Sequence, residues 1–193
     1  MSSRSNTLLA LLVAGLLGCA GDKPPARWAE GGAPLHLVAA QWQFKGDPVD
    51  VRSRGDYAEV LVDGDVEWVI DRVGRLYDQN QRPVAVLDAE GRLVMAKDQL
   101  MGVVGSQFAT KPGRGSAWLS LTPEGDVVKY GVDGRQELSG RWVGCNVSVY
   151  ARQACLLVSY VILYDDEGDD TGPAPIMAPG APGMMPGGLI VPR

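Results

Sequence analysis

Several residue types that most catalytic sites rely on are scarce in this chain. There is one histidine, His36, in 193 residues. A metal centre or an acid–base dyad built on imidazole needs partners for that ring. His36 stands alone between two leucines and reads as an outward-facing strand residue. Basic residues number 18 against 23 acidic ones, for a net charge of −5, and no lysine/arginine cluster forms. The electrostatic term that dominates nucleic-acid binding is therefore missing, and no nucleic-acid partner is expected. The amino-terminal apolar run, Leu8 to Leu17, has ten residues, whereas a helix needs about 20 to span a bilayer. Carboxylates are plentiful (Asp63, Asp65, Asp71, Asp88, Glu90), but they sit in turn-like contexts where acids are common. No nucleophile–base pair and no metal-ligand spacing is legible. The chain is expected not to be an enzyme and to use no cofactor or metal.

What is present is a tandem repeat. Gly74 to Glu90 and Gly91 to Gln107 are two units of 17 residues, opening Gly-Arg-Leu-Tyr and Gly-Arg-Leu-Val. Glycine tolerates the positive φ of tight hairpin turns. A short apolar run, a polar break and a second apolar run follow in each unit, which favours strands over helices. The same step aligns Trp68/Ile70, Ala85/Leu87, Gly102/Val104 and Leu119/Leu121 on one face. Side chains alternate across a strand, so this set is expected to be buried. Gly125 opens a further unit in phase, while residues 110–115 have lost the strand pattern and read as a loop. One hairpin is marginal in water, so the units must pair in sequence. Strands are also expected at Leu35–Val38 and Gln41–Phe44 (one strand or two), Val49–Arg52, Ala58–Val62, Val127–Tyr130 and Arg141–Val143. Leu156–Tyr164 is the most β-prone run and is expected to be a well-covered strand. Residues 146–154 fit a hairpin end or a helical turn.

The amino end has the flanks of an export signal: Arg4, the apolar run, then Leu16-Leu17-Gly18-Cys19. This resembles the lipobox of bacterial lipoproteins. The resemblance implies cleavage before Cys19, lipidation of that cysteine, and a membrane partner through the anchor. Two or three acyl chains hold a protein stably where one does not. With Ala20 next, the resemblance points to a cell-envelope location, in the outer membrane. Export would place Cys145 and Cys155 in a disulfide-permissive compartment, and a structural disulfide between them is expected. A redox or zinc role would need other spacing or more ligands.

The expected organisation is a signal peptide over 1–18, a flexible tether over 19–34 rich in proline and glycine, an all-β domain over 35–164, and a tail over 165–193. The tail begins as the acidic run Asp165–Asp170 and continues in proline, glycine and methionine, a composition that favours disorder. The 17-residue units also resemble the short-stranded repeats of β-flower-like bacterial proteins. That resemblance implies a compact antiparallel meander, barrel- or flower-like, and carries no catalytic residue. The expected function is a non-catalytic, membrane-anchored envelope module with a protein or glycan partner. The alternative is a glycan or small-ligand binder. Core packing is the first expectation for the strand tryptophans; as a binder the chain would offer Trp42, Trp118 and Arg114 as candidate contacts, the last in the broken half-unit where a grafted binding loop is expected.

Overall fold

The computed structural model describes residues 23–44 and 46–167. The strands are β1 (Ala40–Phe44), β2 (Asp47–Ser53), β3 (Tyr57–Val62), β4 (Asp65–Asp71), β5 (Arg75–Asp78) and β6 (Pro83–Leu87). Then come β7 (Arg92–Met95), β8 (Leu100–Val104), β9 (Phe108–Thr110), β10 (Leu119–Leu121), β11 (Asp126–Tyr130) and β12 (Gln136–Val143). A 3-10 turn over Cys145–Val147 leads into α1 (Val149–Asp166). The twelve strands pair antiparallel in chain order, and β1 pairs with β12 to close the barrel.

The turns explain the repeat. Gly74, Gly91 and Gly125 take φ of 77, 81 and 93° and donate to the carbonyls of Asp71, Asp88 and Thr122. In the first two turns the aspartate Oδ1 also accepts the backbone N–H groups two and four residues on. Gln81, at φ 61°, takes the glycine's place in a fourth such turn, beside Asp78. The expected inward face is observed: Ile70, Ala85, Leu87, Val104, Leu119 and Leu121 are buried, and Trp68 packs partly buried against them. Outward positions of β1 and β2, such as Gln41, Gln43 and Arg52, are exposed and polar.

A meander alternates its connections between two rims. The Asp71, Asp88 and Thr122 turns lie on one, the upper rim. The Asp78 and Met95–Gln99 turns and residues 111–118 lie on the lower.

Leu156–Tyr164 corrects the sequence expectation, because it forms the body of helix α1 rather than a strand. Every residue from Ala154 to Leu163 is buried. Ten consecutive residues at 100° each cover the whole circumference, so the helix is enclosed on all sides. Its neighbours agree. Ala154, Cys155 and Val158 face Val51, Ala58 and Ile70 across a cavity of only about 10 Å³. Tyr160 donates its hydroxyl to Met101 O at 2.7 Å, and Trp142 Nε1 donates to Ser159 Oγ at 2.8 Å. Those partners belong to opposite walls, so α1 runs along the barrel axis. Eight strands leave a lumen that side chains can fill, whereas twelve make it wider; here a helix fills it. With β1 and β12 already paired, the run has no central place in the sheet. The helix instead satisfies its own backbone, and Ser148 Oγ caps it by accepting from Ala151 N. Among the described residues no helix is long and apolar enough to cross a membrane.

Residues 35–38, expected to be extended in a strand, lie outside the sheet, but Leu35 and Leu37 are buried in the core. Residues 146–154, left open by the sequence, contain the end of the 3-10 turn and the start of α1.

Candidate functional site

The two rims carry the groups that are not committed to the strand ladder. At the upper rim α1 enters the barrel. Arg152 Nη2 donates to Leu121 O at 2.8 Å and Gln153 Nε2 to Val104 O at 2.9 Å. The carbonyl one repeat earlier, Leu87 O, accepts instead from Ala33 N at 2.7 Å. Three equivalent positions of the repeat thus use three different partners. Cys145 and Cys155 form a disulfide with Cα atoms 6.2 Å apart. It ties the second turn of α1 to the segment leaving β12, and a loop of this size contributes about 3 kcal/mol in the chain-entropy account. Val143, Val147, Val149 and Tyr150 are exposed nearby. His36 Nδ1 lies 3.1 Å from Ser148 Oγ, beside the helix start.

At the lower rim α1 ends in Glu167, which pairs with Lys111 and Lys129. Burial raises the Glu167 pKa, but hydrogen bonds from the two ammonium groups outweigh it and hold the carboxyl below its ordinary value. Lys111 Nζ also stands 4.2 Å from the Trp118 ring centroid. The result is a closed ion cluster over an aromatic floor that locks the helix end to β9–β11. The sequence reading missed Lys111, Lys129 and Glu167, because residues so far apart in the chain meet only when the helix is threaded.

Trp42 and Trp118 do not form a ligand surface: they are 1% and 2% exposed. Trp42 stacks between Phe44 and Trp142 and donates Nε1 to Ser139 O at 3.1 Å. Trp118 meets Tyr160 edge to face at 5.1 Å. The correction has a simple cause: an inward-facing position on a closed barrel opens onto the helix, not onto solvent. Arg114 sits in the broken half-unit as expected, but its guanidinium donates to Tyr130 O at 2.8 Å and Gly131 O at 2.7 Å. Those bonds brace the 111–118 loop against β11. Among the acids considered for catalysis, Asp71 and Asp88 are ion-paired with Arg75 and Arg92. Among the described residues no group of three or more potential metal ligands occurs. Cys19 and residues 168–193 lie outside the described residues.

Of the segment expected to be a tether, residues 23–34 are described, and they pack on the barrel. Ala26 N donates to Asp98 Oδ1 at 2.9 Å. Trp28 meets Tyr77 edge to face at 4.9 Å. Arg75 donates to Trp28 O at 2.7 Å and to Ala29 O at 2.9 Å. Gly32 N, Ala33 N and Leu35 N donate to Val73, Leu87 and Arg72. The segment passes so close that a side chain at Gly32 would start 1.9 Å from Leu87 O. It forms a strap climbing the outer wall from the lower rim to the upper. Val86 alternates with the inward Ala85 and Leu87, so it faces outward, yet it is 1% exposed. It lines a crevice together with Ala26, Arg27 and Gly31 of the strap. No family model matches this chain, and no curated protein or solved structure is similar to it.

Proposed function

We propose that this protein is a non-catalytic, lipid-anchored envelope module whose outer surface, not its interior, meets its partners. The observation that carries the reading is the filled lumen. Leu156, Leu157 and Tyr160 of α1 occupy the space in which a barrel would otherwise hold a ligand. Further support comes from the Leu16-Leu17-Gly18-Cys19 motif and from the Cys145–Cys155 disulfide, a bond that persists in oxidising compartments. Polar outward positions fit a barrel standing in water, with the anchor rather than the barrel in the bilayer.

The test is mass spectrometry of the mature amino-terminal peptide together with membrane fractionation of the wild-type chain and Cys19→Ser. A lipid-modified Cys19 and release of the variant into the soluble fraction are expected. An unmodified Cys19 ends the anchor reading.

A further inference from the structure

The strap decides which rim faces the membrane. This inference rests on the lipid anchor proposed above. Composition makes residues 19–34 a floppy tether, and a floppy tether would leave the barrel free to tumble. The structure leaves far less slack. Lys23 already lines a crevice with Lys97 and Asp98, the lower-rim turn between β7 and β8. Pro25 is buried, and from Ala26 onward the chain is bonded to the outer wall. Six peptide steps separate Cys19 from Pro25, a reach of at most about 22 Å. The 18 residues of α1 run from rim to rim and measure about 27 Å at the helical rise. The reach is shorter than the barrel is tall.

We infer that the strap orients the barrel on the bilayer, with the strap foot at the lower rim, around Lys23, Arg27 and Lys97, against the lipid headgroups. The three cations at the strap foot suit phospholipid headgroups, which attract basic residues close to the surface. Glu30 and Asp98 share the crevice, and Asp98 is turned to the Ala26 N–H of the strap. The upper rim, with the disulfide and exposed Val147 and Tyr150, then points into the compartment.

The test uses the full-length lipidated protein in vesicles of phosphatidylethanolamine and phosphatidylglycerol carrying a photoreactive headgroup. Crosslinked peptides are mapped by mass spectrometry, and the lipid mass on Cys19 is read in the same digest. Several-fold enrichment of crosslinks on residues 23–30 and 96–99 over residues 143–150 is expected. A 20-residue Gly/Ser insertion between Asp22 and Lys23 has a root-mean-square length of about 25 Å. It is expected to abolish that enrichment. Lipidated protein crosslinked equally at both rims, or mainly at the upper one, overturns the orientation and leaves the anchor standing. So does lipidated protein with no crosslinks at the lower rim, which would mean that another macromolecule covers it. An unlipidated Cys19 overturns the anchor and the orientation together.

Discussion

The two turns that flank β7 are built on opposite plans. At the upper rim, Asp88 to Arg92 is self-contained. Asp88 Oδ1 accepts from Glu90 N at 3.0 Å and Arg92 N at 2.8 Å, and Oδ2 accepts from Arg92 Nε at 2.7 Å. Gly91 supplies the left-handed residue. At the lower rim, Met95 to Gln99 has no side-chain cap and places two non-glycine residues, Lys97 and Asp98, at φ 62 and 58°. Each such residue costs roughly 1–2 kcal/mol. A further bond comes from 72 residues away, where the strap donates Ala26 N to Asp98 Oδ1. One turn is held by its own side chain; the other is closed by Met95 N donating to Gln99 O at 2.9 Å and braced by the strap. Strain of this kind persists where surrounding structure imposes it, and here it coincides with the foot of the strap.

The largest break in this contrast should come from Gly91→Ala. The added carbon would stand 2.9 Å from Val104 O at a φ of 81°, and the left-handed backbone and the forced shift together cost at least about 2 kcal/mol. Urea unfolding should show the loss. A wild-type midpoint would mean that the turn geometry is not needed.

Asp88→Ala should cost about 2 kcal/mol, because it strands two backbone donors and Arg92. Burial raises the Asp88 pKa, but the hydrogen bonds from Arg92 prevail and depress it. The sign follows. A carboxyl depressed in the folded state adds stability that is fully present above its unfolded value of about 3.9. That stability is lost as pH falls through the lower folded value. Stability of the wild type should therefore fall more steeply below about pH 4 than that of the alanine variant. Parallel acid curves would remove Asp88 as a contributor.

The smallest effect sharpens the comparison with the opposite sign. Lys97→Gly should stabilise by up to about 1 kcal/mol, because glycine accepts the same φ without strain. Destabilisation by that amount would show that the Lys97 side chain contributes more than its backbone costs.

Much of the barrel was legible. The Gly74/Gly91 step and the buried Ala85/Leu87 and Gly102/Val104 set were readable from spacing, and the Cys145–Cys155 disulfide from the export that the amino-terminal resemblance implies. Turn chemistry and alternation act within a few residues. Gly102 shows where that stops: its repeat position reads as a weak apolar site, but it is small because Tyr160 OH would lie 2.1 Å from an added carbon. Helix or strand for Leu156–Tyr164 could not be read from period, since a run buried on all faces fits both. Ser148 and the alanines at 151 and 154 were the available helix signal. The expected core packing of the tryptophans is observed, and the alternative of a stacking surface is not, because aromatic type says nothing about which side of a closed sheet a residue faces.

By itself the sequence determined the hairpins, because a glycine or aspartate at a turn and an alternating run need only their neighbours. It also determined which faces are apolar. The tertiary structure alone decided that the sheet closes through β1 and β12, that α1 fills the lumen, and that residues 23–34 become a strap. Each of these is a contest for burial between segments tens of residues apart. Its outcome depends on which apolar surfaces remain uncovered once the hairpins have paired.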